Sequence, residues 1–122
     1  MHSGTMATIS RELVAASSKP LVLSILAKKG ESYGYEIISQ VKLLSGGQLE
    51  WTDGMLYPVL HRLERDGMIK SVWKKSDTGR DRKYYHLKQA GKKEIERQKA
   101  QWGSVSGALD KLWDEGGETC AT

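Results

Sequence analysis

The strongest constraint on this chain is a change of hydrophobic period at Gly67. Before it, Leu56, Val59, Leu60 and Leu63 recur at helical spacing, and at about 100° per residue all four fall on one face. After it, Ile69, Ser71 and Trp73 alternate with Lys70, Val72 and Lys74. Beyond a Ser76-Asp77-Thr78-Gly79 turn cluster, Arg82, Tyr84 and His86 alternate with Lys83, Tyr85 and Leu87. A period of two on both sides of a turn predicts an antiparallel hairpin. The chain therefore has to pack helices against a two-stranded ribbon whose tip is basic.

The upstream pattern is helical. Ile9, Leu13 and Ala16 mark a short amphipathic helix over 9–17. Pro20 suits the first turn of a second stretch, with Ser18 as its cap, burying Leu21, Val22, Ile25 and Leu26 and stopping at Gly30. A kinked continuation of the first helix fits the same residues. Ser32 is the expected cap of the next helix, with Glu36 in its first turn, an apolar face of Ile37, Ile38, Val41 and Leu44, and a stop at Gly46-Gly47. Gln48 to Trp51 reads as a short extended piece, and Thr52 as the cap of the helix that ends at Asp66-Gly67. Three helices followed by a hairpin is the order of a winged helix-turn-helix.

A last helix is expected from about Gln89 to Trp113. Its Ile95, Gln98, Trp102, Val105, Leu109 and Leu112 step alternately by three and four, a heptad seam. A seam of that length after a complete small domain predicts packing against a second copy, with packing on the first helix as the alternative. The expected organisation is a flexible tail over 1–8, a winged helix-turn-helix domain over 9–87, a dimerisation helix over 88–113 and a flexible acidic tail over 114–122. The fold class is mainly α with a two-stranded β-wing.

Charge follows the same division. The 122 residues carry a net charge of +4. Residues 1–60 hold five basic and five acidic side chains, while residues 61–99 hold thirteen basic against six acidic. From residue 100 on, Lys111 faces Asp110, Asp114, Glu115 and Glu118. Basic charge concentrated on the helix–hairpin segment is the electrostatic footprint of a nucleic-acid binder; a solvated lysine-rich face is the plainer alternative. The longest apolar run, Leu21 to Ala27, is far short of the ~20 residues a membrane span needs. Cys120 is the only cysteine, so no internal disulfide forms and a reducing cytoplasm is expected. No cofactor or metal site is expected, and no enzyme: there is no metal-ligand spacing, no phosphate-cradling loop and no nucleophile beside a base.

In a helix-turn-helix the start of the second helix enters the major groove. The candidate DNA contacts there are Thr52, Gly54, Met55, Tyr57, Pro58, His61 and Arg62. Gly54 lets backbone approach DNA. Pro58, which costs about 3 kcal/mol in a helix interior, suits a rigid surface facing a partner; a simple bend in the helix is the alternative. Tyr57 and His61 can hydrogen-bond phosphate or base edges; a half-buried aromatic and a plain solvent-facing histidine are the alternatives. The wing adds Lys74, Lys75, Arg80, Arg82 and Lys83, a source of sequence-independent, salt-dependent affinity. A winged-helix module that binds protein is the other function class, and the basic segment argues against it.

Several stretches together resemble the PadR family of bacterial transcriptional regulators. Leu21-Val22-Leu23-Ser24-Ile25-Leu26 looks like that family's opening helix, and Tyr33-Gly34-Tyr35-Glu36-Ile37 its "GYEI" signature. Residues 54–69, from Gly54-Met55-Leu56-Tyr57-Pro58 to Gly67-Met68-Ile69, resemble its most specific stretch, and Gly79 to Leu87 its wing. The resemblance covers about residues 20–113. It implies a homodimer joined through the C-terminal helix, bound to a palindromic operator in double-stranded DNA, usually as a repressor released by a small molecule. The short length and single terminal helix look like the small subgroup, some of whose members hold flat aromatic compounds at the dimer interface with a terminal-helix tryptophan; Trp102 falls at that position, with plain packing in the dimer core as the alternative. The chain departs from the family at Met55 and Lys88, where the family commonly has threonine. The second departure removes a helix cap, a loss of about 0.5–2 kcal/mol.

Overall fold

The computed structural model describes residues 9–121, the last seven of them as helical backbone alone. The tail expected over 1–8 lies outside the described residues. Four helices and one hairpin follow in order: α1 (Arg11–Lys29), α2 (Gly34–Leu44), α3 (Asp53–Arg65), β1 (Ile69–Lys75), β2 (Asp81–Leu87) and α4 (Gln89–Ala121). The architecture is the mainly helical winged helix that the change of period predicts.

The two upstream stretches are one helix. α1 starts where the Ser10 hydroxyl accepts the Leu13 N–H at 3.2 Å and runs through Pro20 to Gly30, whose φ of 86° ends it. Ser18 is not a cap: it is buried inside the helix and donates to the Ala15 carbonyl at 2.9 Å. Ser17 does the same to Val14. Such back-bonding satisfies serine hydroxyls within a helix.

Ser32 is not a cap either. Tyr33 precedes α2 without a side-chain capping bond. Fully buried Ser32 instead exchanges backbone hydrogen bonds with Tyr85 of β2, at 3.2 and 2.8 Å, and its hydroxyl donates to Glu36 at 2.7 Å. The α1–α2 connection thereby becomes a third partner for the wing. A polar residue in a short connection reads as a cap in sequence, and its distant β partner is invisible there.

The core draws Val22, Leu23 and Leu26 from α1, Ile37 and Val41 from α2, Trp51 from the linker, and Leu56, Leu60 and Leu63 from α3. Ile69, Tyr85 and Ile95 close it from the wing and α4. Each such aliphatic side chain contributes roughly 1.5–3 kcal/mol on burial. Leu44, expected on the buried face of α2, is exposed, as is Leu43.

The hairpin pairs antiparallel from Ile69 with Leu87 to Lys75 with Asp81. Only its base is buried: Ile69 and Tyr85 face the core, whereas Trp73, on the same face as Ile69, is 65% exposed. At the tip, the Ser76 N–H donates to the Arg80 carbonyl at 2.8 Å around Gly79, whose φ is 87°.

α4 begins at Gln89, with the Lys88 carbonyl accepting the Lys92 N–H at 3.1 Å. Gly91 lies so close to the wing that a Cβ would strike the Met68 carbonyl and the Leu87 side chain. Backbone helix continues past Trp113 to Ala121, where the sequence predicts a tail from residue 114.

Candidate nucleic-acid interface

α3 puts Leu56, Val59, Leu60 and Leu63 in the core and leaves Gly54, Pro58 and His61 exposed. The Thr52 carbonyl accepts the Met55 and Leu56 N–H groups at 3.0 Å each, and its side chain makes no capping bond. Pro58 lies in the second turn, where its missing N–H leaves only the Gly54 carbonyl without a helical donor.

The nominated α3 residues divide between two flanks. Tyr57 and His61 lie together, ring centroids 6.4 Å apart, and Tyr57 lines a cleft shared with the start of α2 and the wing. Met55 and Arg62 lie on the opposite flank. With Arg11 and Val14 of α1 and the linker over 47–51, they line a groove of about 810 Å³.

The wing cations are mostly engaged within the chain. Lys74 pairs with Glu31 at 2.6 Å and lies 4.6 Å from the centre of the Tyr84 ring. His86 approaches the same Glu31 at 3.4 Å. Lys75 pairs with Asp81 at 3.3 Å. The Arg82 guanidinium lies 4.0 Å over the Tyr33 ring, which meets Tyr84 edge-on at 5.5 Å. Lys83 reaches over Tyr85 at 5.6 Å. Among the described residues, Arg80 alone of the five has neither an ion pair nor an aromatic neighbour of this kind.

Tyr33, Gly34, Tyr35, Tyr57, Trp73, Asp81, Arg82 and Lys83 enclose a cleft of about 380 Å³ between α2, α3 and the wing. Tyr35 and Trp73 form open rims, 72% and 65% exposed. Sequence reasoning missed Tyr33, Gly34, Tyr35 and Trp73 as site residues. Trp73 counts as an inward strand residue by alternation, and its position beyond the base of the hairpin was the one available hint that it faces solvent. Beneath the cleft, burial pushes the Tyr85 hydroxyl up to about 12, with smaller contributions from Tyr57 and Glu64, so it stays neutral.

α4 carries the second set of nominated residues. Ile95 belongs to the core, whereas Val105 and Leu112 are exposed and Leu109 is half-buried. Glu94 sits buried at the root of the helix. Hydrogen bonds from Arg97 at 2.7 and 2.9 Å, joined by Gln98 at 2.9 Å and Lys19 at 3.4 Å, outweigh its burial and hold its carboxyl down at about 2. Gln98 in turn accepts the Trp102 indole N–H at 3.1 Å. Trp102 thus lies against an apolar groove of about 540 Å³ lined by Leu13, Pro20, Leu21 and Leu49.

Three helices, a basic wing pinned to the α1–α2 connection and a long terminal helix define a winged-helix transcriptional regulator. The chain belongs to the PadR-like family of transcriptional regulators, whose family model matches residues 22–97. A transcriptional regulator from Clostridium thermocellum superposes with a TM-score of 0.75 at 28% identity, over 84% of this chain and 96% of that one. A PadR-like regulator from Bacillus cereus gives 0.73 at 28%, over 84% and 96%. A PadR family regulator from Clostridium difficile gives 0.68 at 31%, over 80% and 98%. An uncharacterised protein from Lysinibacillus sphaericus is 26% identical over 108 residues, 88% of this chain and 97% of that protein. Among the described residues, no helix is long and apolar enough to cross a membrane and no cluster of three or more metal-ligating side chains occurs.

Proposed function

We propose that this regulator acts as a homodimer on a palindromic operator, as a repressor released by a small flat aromatic ligand. The observation that carries the reading is the presence of two surfaces of different character. Tyr57, Arg82 and Lys83 line the α3–wing cleft with His61 beside Tyr57, while α4 carries Val105, Leu112 and Trp113 exposed. An apolar row on a helix that outruns its own domain suits a second copy of itself. Two copies joined there would present two α3 helices to successive major grooves, about 34 Å apart.

Within this reading Gly54, Tyr57, Pro58 and His61 meet the groove. Arg80, Arg82 and Lys83 meet the phosphates, and Lys74 and Lys75 do so on leaving their carboxylate partners. Thr52, Met55 and Arg62 contribute from the flank turned toward α1. Trp102, oriented by Gln98 against an apolar groove, is the platform for an aromatic effector. Such a ligand releases DNA only through different affinities for the two dimer arrangements. A gel shift with the region upstream of the chain's own gene, at low salt and with the folded dimer verified by sedimentation, tests the reading. A retarded complex that an aromatic dye dissolves is expected. A folded dimer that shifts no duplex sinks it in favour of a protein-binding module.

A further inference from the structure

Two neighbouring residues at the start of α2 hold the two DNA-facing elements at once. A Cβ on Gly34 would lie 2.8 Å from the Tyr57 hydroxyl oxygen and 3.3 Å from the ring carbon that bears it. The Tyr57 side chain of α3 therefore ends in the space that Gly34 leaves empty. One residue earlier, the Tyr33 ring lies under the Arg82 guanidinium of β2 at 4.0 Å. The same ring braces Tyr84 edge-on at 5.5 Å. The backbone of this segment is fixed too, because adjacent Ser32 is paired on both sides with Tyr85 of the wing.

We infer that Tyr33-Gly34 is a positioning platform, setting where Tyr57 and Arg82 stand relative to each other and hence how recognition helix and wing engage one stretch of DNA. The inference rests on the DNA reading above and assigns roles to two residues outside the predicted interface. Its physical content is an asymmetry. The atom that an alanine at 34 would displace is the far end of a tyrosine side chain, which can swing away. Ala also favours a helix more than Gly does. Gly34→Ala should therefore leave the fold intact and move Tyr57. Likewise, Tyr33→Leu keeps an apolar side chain but removes the ring face that attracts Arg82.

A duplex selected from a randomised pool by the wild-type protein is the probe. Affinity is measured for Gly34→Ala, Tyr57→Phe and their double variant, with thermal melting of each. The expected result is about a tenfold loss for Gly34→Ala with an unchanged melting temperature. The loss should shrink to about twofold when position 57 is already phenylalanine, the non-additivity of residues in contact. The parallel cycle, Tyr33→Leu with Arg82→Ala, should show the same non-additivity. A fluorine label on the Tyr57 ring, read by NMR without DNA, should shift in Gly34→Ala. Equal losses in both backgrounds, or an unmoved fluorine signal, overturn the platform while leaving DNA binding standing. A folded wild-type protein that selects no duplex overturns the DNA reading itself, and the platform's role in DNA binding falls with it.

Discussion

The two ends of this molecule use their large side chains in opposite ways. At the wing, Tyr33, Tyr84, Arg82 and Lys74 are held in ring–ring and cation–ring contacts with one another, within a segment pinned by backbone hydrogen bonds. Along the outer part of α4, Val105, Leu112 and Trp113 meet solvent. The wing end is organised within one chain and waits for a polyanion. The α4 end leaves apolar area uncovered, which is costly in water and favours association. Trp102 marks the change from one regime to the other, its N–H tied inward through Gln98 to the Glu94 cluster and its ring on an apolar groove.

The sharpest way to break the contrast is to charge the uncovered row. Val105→Glu costs a single chain little, because Val105 already faces solvent. It should cut dimer affinity by about a hundredfold, the expected cost of a buried unpaired charge of 3 kcal/mol or so. Sedimentation should show monomers with unchanged melting of the winged domain, and operator binding should fall with the dimer. Persistence of the dimer would place the interface elsewhere.

The junction between the two regions should be the least tolerant of added atoms. Gly91→Ala drives a methyl group into the Met68 carbonyl, which is backbone and cannot swing aside. A loss of about 1–3 kcal/mol is expected, the usual cost of overpacking. Chemical denaturation measures it, and the contrast with Gly34→Ala, which should leave stability unchanged, is the informative result.

At the wing, Arg82→Ala should weaken binding to all duplexes alike. The slope of log affinity against log salt should become shallower by about 0.9, one phosphate contact. A change confined to sequence preference would give Arg82 a base contact instead.

The last effect concerns acid. Glu94 is held at about 2, below its unfolded value of about 4.3. Its stabilising contribution is present above the unfolded value and is lost as pH falls through the folded one. Glu94→Gln should thus lower the melting temperature at pH 7 and flatten its fall between about pH 5 and pH 2. Parallel curves for the two proteins would take the acid sensitivity away from Glu94.

Much of this is legible in the sequence. The α3 stripe and the hairpin follow from local rules, because helical and strand periods are properties of neighbouring residues. The reading failed where a second element had to be known. Ser32 and Ser18 look like caps, since capping serines and back-bonding or bridging serines share the same local sequence. Lys74 looks like a free cation, and its carboxylate partner lies 43 positions earlier. By helical spacing Tyr57 and Met55 both flank the outer face of α3. Only the wing on one side and α1 on the other send them to different surfaces.

The sequence by itself determined the order of elements, the buried faces, the turns and the concentration of basic charge at one end. These depend on spacing along the chain and on the conformations that glycine, proline and serine permit. Tertiary structure decided which cations are already partnered, why position 34 has no side chain, and which rings stand at the rim of the cleft. These are matters of distance between residues far apart in sequence, set only when the helices close on the wing.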